Sequence, residues 1–263
     1  MKFAFSSNAF RKYSLIETIR ILAELGYQGI EIMADIPHAY PPHLNKMDFE
    51  EIGNALSENG LEISNLNTFM LHALGDTWHP SWIERESAMR SQRIEHTLQC
   101  IDLAAELGIT TLSTEPGGPL MGMEEKQALR LFKEGLLAVY ETAGEKGIRI
   151  LIEPEPDLLI ENSSQATAFL EDLDPQVFGL NFDIGHFFCV GEDPAVCIRK
   201  MKDTIHHFHI EDIAPTRKHH HLLPGMGAID FTSVLDAIDD IGYDGFVTVE
   251  LYPYEDQPKE AAR

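Results

Sequence analysis

The amino-acid sequence predicts an α/β fold, a single (β/α)8 or TIM barrel spanning residues 1–263. Eight short apolar runs alternate with seven helix-like stretches, and most of those stretches end in glycine, as in right-handed βαβ units. The chain of 263 residues also suits this barrel, which typically holds about 250 residues in one domain. An open, doubly wound sheet is the alternative, but no GxGxxG turn follows the first predicted strand.

The predicted strands are short apolar runs. The run at residues 148–152 reads Ile-Arg-Ile-Leu-Ile with no regular alternation, which is typical of a strand buried on both faces. Pro154 follows it and has no N–H to donate, so strand pairing should stop where the Glu153 carboxylate emerges. The eight predicted strands are residues 2–7, 29–33, 61–69, 110–116, 148–156, 177–186, 205–213 and 245–253.

Seven helices are predicted between these strands. Ser14 and the Asp193-Pro194 pair are start signals, and Gly26 and Gly147 are typical stop signals. The predicted helices are residues 14–26, 48–60, 82–108, 123–147, 162–173, 193–204 and 230–242. The last residues, EDQPKEAAR, are too few for a full helix, so the eighth helix is expected to be short or missing.

Composition excludes several classes of protein. The net charge of −23 disfavours nucleic acid as a partner, because phosphate binding depends on Lys and Arg. The three cysteines form no CxxC motif, and no apolar run is long enough for a membrane span. We therefore expect a cytoplasmic protein with reduced cysteines and no membrane partner. A homo-oligomer is compatible with the sequence, although no residue points to its interface.

Acidic and histidine side chains stand at the ends of the last four predicted strands. They are Glu153, Asp183 with His186, His209, and Glu250. At one barrel mouth, three carboxylates would repel one another unless a cation lay between them. Mixed oxygen ligands with one imidazole suit Mn²⁺, Mg²⁺, Co²⁺ or Zn²⁺. Each residue alone is more often a helix cap or a hydrogen-bond partner, and the interpretation depends on all of them together.

These motifs resemble the xylose isomerase-like barrel superfamily of sugar and sugar-phosphate isomerases and epimerases. The resemblance covers nearly the whole chain and is carried by IEPEP, NFDIGH, HFHIED, PGMGAIDF and VTVEL. It implies that Glu153, Asp183, His209 and Glu250 are the metal ligands, and that His186 and Arg217 contact substrate. Met226 departs from the acidic residue that the family usually has between the two glycines, so local contacts there can differ.

Other residues are weaker candidates. Glu155 and His72 are further candidates for substrate binding, and the run His219 to His221 could add metal ligands or be a solvated loop. The aromatic candidates for the pocket walls are Phe69, Trp78, Tyr252 and Tyr254. The cations near the mouth are Arg217 and Lys218, with Arg11, Lys12 and Lys46 as possible additions, so an unphosphorylated sugar is slightly favoured.

The predicted chemistry is proton transfer next to a carbonyl. A metal that chelates a carbonyl and the adjacent hydroxyl would stabilise an enediolate, with Glu153 and Glu250 as acid and base. The sequence thus predicts a metal-dependent isomerase or epimerase acting on a ketose or keto-polyol. A dehydratase or lyase on the same scaffold is the close alternative. A phosphodiesterase resembling the abasic-site endonucleases and a non-catalytic sugar-binding barrel are the remaining alternatives.

Overall fold

The computed structural model describes residues 1–263 and contains a closed barrel of eight parallel strands in chain order. The strands are β1 Lys2–Ser6, β2 Gly29–Met33, β3 Glu62–Asn67, β4 Thr111–Thr114, β5 Arg149–Ile152, β6 Phe178–Asp183, β7 Ile205–Ile210 and β8 Phe246–Val249. Strand β8 pairs in parallel with β1 and closes the ring. The predicted (β/α)8 barrel is confirmed, and the open sheet is excluded.

Nine α-helices surround the barrel or cap its ends. They are α1 Leu15–Glu24, α2 Lys46–Asn59, α3 Ser87–Leu107, α4 Glu125–Lys146, α5 Ser163–Leu170, α6 Ile184–Cys189, α7 Pro194–Met201, α8 Phe231–Asp240 and α9 Pro258–Ala261. The prediction of seven helices missed the short α6, while the four-residue α9 after β8 agrees with an eighth helix expected to be short or missing. No helix is both long and apolar enough to cross a membrane.

Helix starts differ from prediction where side chains hold the preceding turn. Helix α3 begins at Ser87 rather than at residue 82. The Trp82 backbone N–H donates to Glu115 Oε1 at 3.1 Å, and its indole Nε1–H donates to Thr114 Oγ1 at 2.9 Å. These bonds fix Trp82 against the end of β4, so the helix cannot begin there.

The predicted strand at residues 177–186 is wrong at its end. Strand β6 stops at Asp183, because the Asp183 carboxylate accepts a hydrogen bond from the His186 N–H at 2.8 Å and caps α6. At Gly185 a β-carbon would lie 1.8 Å from Glu211 Oε1, so the turn requires glycine. Asp183 and His186 therefore lie on a sharp strand-to-helix turn at the barrel mouth.

The barrel interior is polar below the mouth. Residues two apart on one strand point to the same side, so the layer below Asp183, His209 and Glu250 consists of Asn181, His207 and Thr248. His207 Nδ1 lies 2.8 Å from Asn181 Oδ1, and His207 Nε2 lies 2.8 Å from Thr248 Oγ1. These hydrogen bonds fix the layer on which the side chains at the mouth pack.

Candidate active site and metal centre

Four of the predicted site residues meet at the C-terminal ends of neighbouring strands. Asp183 ends β6 and pairs in register with His209 on β7, while Glu153 and Glu250 directly follow β5 and β8. One nitrogen or oxygen atom of each lies within 4.8 Å of those of the others. None of the four is more than 6% exposed. The structure thus brings together the residues for which the sequence predicted metal ligation; we call them the four-residue centre.

Three carboxylate oxygens surround one imidazole nitrogen in this centre. His209 Nδ1 lies 3.0 Å from Glu153 Oε1, 3.7 Å from Glu250 Oε2 and 3.9 Å from Asp183 Oδ2. The second oxygen of each carboxylate is held from outside. Asn181 Nδ2 donates to Glu153, Asn8 Nδ2 donates to Glu250, and the His186 backbone N–H donates to Asp183, each at 2.8 Å. The inner oxygens therefore point at a shared position in a fixed arrangement.

The three buried carboxylates of the centre would be stabilised by a cation. Burial and the neighbouring Glu153 raise the pKa of Glu250 well above its ordinary value, although His209 opposes this rise. Burial alone would lower the pKa of His209, but the Glu31 and Glu153 carboxylates outweigh it and raise that pKa. Asp183 Oδ2 is buried without a hydrogen-bond partner. One imidazole and three carboxylates so placed fit a divalent ion, and these residues would hold it.

Glu31 on β2 belongs to the site and was not found from the sequence. Its Oε2 lies 2.8 Å from His209 Nε2, on the far side of the ring from the three inner oxygens. Burial would raise the pKa of Glu31, but His209 lowers it to about 2, so Glu31 is an anion. A carboxylate that accepts from one imidazole nitrogen directs the other nitrogen toward a metal. The charged residue within GIEIM was the only available signal.

Three further histidines stand beside the centre. His186 donates from Nδ1 to the Pro154 carbonyl at 2.9 Å, and burial together with His219 lowers its pKa to about 3. His221 donates from Nδ1 to the Glu250 carbonyl at 2.9 Å, and burial lowers its pKa to about 3. His219 Nε2 lies 3.2 Å from His221 Nε2. His186 is therefore neutral, with Nε2 free to accept a hydrogen bond.

A cavity of about 410 Å³ opens above the centre. Among the predicted substrate contacts, His186, His72 and Glu155 line it. Burial, followed by the Glu153 and Glu250 charges, raises the pKa of Glu155 well above its ordinary value. Of the predicted aromatic walls, Phe69, Trp78 and Tyr252 line the cavity and Tyr254 does not.

Arg217 lies outside this cavity. Its guanidinium stacks on the Phe188 ring at 4.2 Å and donates to the Phe188 carbonyl, beside the turn that leads into α7. Its backbone φ of 59° lies in the left-handed region, which is uncommon for a residue other than glycine. The structure does not bring Arg217 to the four-residue centre, and its contact with substrate stays a prediction.

Comparisons with known proteins agree with this architecture. A family model described as xylose isomerase-like TIM barrel matches residues 19–263. The chain is 26% identical over 275 residues to fructoselysine 3-epimerase of Shigella flexneri, covering 100% of the chain and 95% of that protein. It is 29% identical over 143 residues to inosose dehydratase of Lacticaseibacillus casei, a match that spans 48% of the chain and only 47% of that relative. A solved D-tagatose 3-epimerase-like protein shares the fold, with a TM-score of 0.81, 24% identity and coverage of 99% and 95% of the two chains.

Proposed function

We propose that this chain, which belongs to the xylose isomerase-like TIM-barrel family, is a divalent-metal-dependent isomerase or epimerase acting on a ketose or keto-polyol. The observation that carries the proposal is the pair Glu153 and Glu250. Both are buried, each has one oxygen fixed by an amide and one directed at a shared position, and both line the cavity. Two such carboxylates can exchange a carbon-bound proton on opposite faces of one substrate.

The residues divide the chemistry as follows. Glu153, Asp183, His209 and Glu250 would hold a divalent cation, which would supply Lewis-acid polarisation of the substrate carbonyl and the adjacent hydroxyl. One glutamate accepts the proton from the carbon next to the carbonyl, leaving an enediolate, and the other returns a proton. Return to the same carbon from the opposite face epimerises the sugar. Return to the neighbouring carbon isomerises it. Neutral His186 accepts a hydrogen bond from a substrate hydroxyl, and Asn8 and Asn181 hold the two glutamates in place.

A dehydratase is the second candidate, favoured by the partial match to inosose dehydratase. The same enediolate can expel the hydroxyl group of the next carbon as water, and Glu155, whose raised pKa favours the protonated form, lines the cavity and can donate the proton that the leaving hydroxyl takes up. A phosphodiesterase is less well supported, since Arg11 is the one cationic side chain lining the cavity. The proposal includes a cytoplasmic location and Mn²⁺, Mg²⁺, Co²⁺ or Zn²⁺ as the metal.

The test is solvent deuterium incorporation, followed by NMR. Protein stripped and reloaded with each metal is incubated in D₂O with D-fructose, D-psicose, D-tagatose and an inosose. We expect the wild type to exchange a proton next to the carbonyl of a ketose, and Glu153→Gln and Glu250→Gln to lose at least about 100-fold in rate. The matched control is Glu115→Gln, because Glu115 is a buried carboxylate that follows β4 but neither belongs to the four-residue centre nor lines the cavity.

Two results would change the proposal. Loss of water without return of deuterium to substrate would favour the dehydratase. Metal-loaded protein that neither exchanges a carbon-bound proton nor releases water with any sugar of the panel, or with an anionic ketose, would contradict both candidates.

A further inference from the structure

The cavity above the four-residue centre has two chemically different walls. The wall from the ends of β5 to β8 is acidic, with Glu153, Glu155 and Glu250. The other wall comes from the loops after β1 and β3 and carries Arg11, His72 and Trp78, among others. A substrate that reaches the centre must lie across both walls.

Arg11 is the cation of the second wall, and its guanidinium is incompletely paired. Its Nε is shielded from solvent and has no hydrogen-bond partner. The nearest carboxylate is on Glu255, whose Oε2 lies 4.0 Å from Arg11 Nη1, beyond hydrogen-bond range, and whose side chain is 43% exposed. A buried, unpartnered donor costs free energy, and a planar guanidinium matches phosphate or carboxylate oxygens in a bidentate fork. The Arg11 side chain is 35% exposed and lines the cavity, so a ligand there can reach the guanidinium and pair with it.

The surroundings of Arg11 differ from those of the adjacent cation. Lys12 pairs with Asp256 at the surface and does not line the cavity. His72 shares the wall with Arg11, and burial, followed by the Arg11 charge, lowers the pKa of His72, which leaves it neutral and able to donate one hydrogen bond. An anion beside Arg11 would thus find the Arg11 guanidinium and the His72 imidazole as donors on the same wall.

We propose that the substrate carries an anionic group, a phosphate or a carboxylate, that Arg11 binds while the keto carbon lies at the four-residue centre. The inference rests on the proposed function and names its substrate class; a carboxylate keeps the unphosphorylated sugar that the sequence slightly favours, whereas a phosphate departs from it. Orientation follows from charge. Arg11 is the one Lys or Arg side chain lining the cavity, so the anionic end lies there and the sugar binds in one direction, with its reacting carbons toward Glu153 and Glu250.

The test compares three ketoses that differ at one carbon: D-fructose, D-fructose 6-phosphate and D-fructuronate, which bears a carboxylate at carbon 6. For each, solvent deuterium exchange gives kcat and KM, and calorimetry on the metal-loaded protein gives the dissociation constant. We expect the wild type to prefer one of the anionic sugars over fructose. A preference for D-fructose 6-phosphate would identify the anionic group as a phosphate, and a preference for D-fructuronate would identify it as a carboxylate.

Variants assign the preference to Arg11. Arg11→Gln should reduce the ratio of anionic to neutral kcat/KM by about 10- to 100-fold, mainly through KM, the usual range for losing a charge-assisted contact. Arg11→Lys should keep part of the ratio because it keeps the charge but not the fork. The matched control Lys12→Gln, which removes the neighbouring charge, should change the ratio by less than about threefold.

The outcomes separate this inference from the proposed function. Exchange of fructose with no anionic preference, or an equal loss for all three sugars in Arg11→Gln, overturns the inference and leaves the isomerase standing. Binding of an anionic sugar that depends on Arg11, without exchange of any sugar, supports the anion site and contradicts the isomerase.

Discussion

At the scale of single residues, Glu31 fixes how His209 presents its ring. The Glu31 carboxylate binds Nε2 of His209, and Asn65 Nδ2 and Asn67 Nδ2 donate to the same carboxylate at 2.9 and 3.2 Å. The ring is therefore held with Nδ1 toward the inner oxygens of Glu153, Asp183 and Glu250. A ligand whose ring is oriented before the metal arrives loses little freedom on binding it.

Removing the Glu31 charge should weaken metal binding without removing a ligand. In Glu31→Gln the amide can still contact Nε2, but it no longer stabilises a proton there or raises the basicity of the ring. We expect the dissociation constant for Zn²⁺ or Mn²⁺ to rise about 10- to 100-fold. Competition with a chromophoric chelator measures it, with Glu115→Gln as the buried control. An unchanged constant would mean that Glu31 does not orient the ligand.

Sequence reasoning found the inner residues of the site but not those that hold them. Glu153, Asp183, His209 and Glu250 each end an apolar run, and strand ends are visible in a sequence. Asn8 and Asn181 are ordinary amides in buried segments, and nothing local shows that they face a carboxylate. Their partners depend on which side chains point into the barrel, which apolar runs without alternation do not reveal.

At the scale of elements, His38 ties the loop after β2 to the turn after β1 that carries Asn8 and Arg11. Its Nδ1 lies 3.1 Å from Ser7 Oγ, and its Nε2 lies 3.2 Å from the Phe10 carbonyl oxygen. The side chain is 6% exposed, and burial lowers the pKa of His38 to about 4. Folding therefore favours the neutral ring, which accepts from Ser7 and donates to the backbone.

This gives a pH dependence of stability with a definite sign. The unfolded ring titrates near 6.5 and the folded one near 4, so the contribution of His38 is present above pH 6.5 and is lost as the pH falls toward 4. Between pH 7 and pH 5 the wild type should lose about 2 kcal/mol more unfolding free energy than His38→Gln. Urea denaturation at the two pH values measures the difference. Equal losses would show that His38 titrates normally in the fold.

Element boundaries near the mouth were less predictable than element types. All eight strands and the seven longer helices lie where the periodicity placed them, but the predicted strand at residues 177–186 continued through Asp183 because Ile184 looks like part of the apolar run. The cap formed by Asp183 ends the strand there. The Asp35 carboxylate, in the loop after β2, fixes the loop after β3 by accepting from the His72 and Ala73 N–H groups at 2.6 and 3.0 Å.

At the scale of the whole molecule, barrel closure creates the site. Asn8 and Glu250 are 242 residues apart in sequence, and they touch only because β1 pairs with β8. The eightfold alternation was sufficient to predict closure. The alternation could not predict which loops line the mouth. Arg217 follows β7 in sequence but lies beside α7, whereas Arg11 lines the cavity.

The central claim is that the four-residue centre binds one divalent ion on which proton exchange depends. Metal-stripped protein is titrated with Mn²⁺ or Zn²⁺, while bound metal and the deuterium exchange rate are measured on the same samples, for wild type and Asp183→Asn. We predict that exchange appears in proportion to metal, saturates at about one ion per chain, and is absent from Asp183→Asn at the same metal concentration. Full exchange in stripped protein, or metal-loaded Asp183→Asn that is as active as the wild type, would contradict the account.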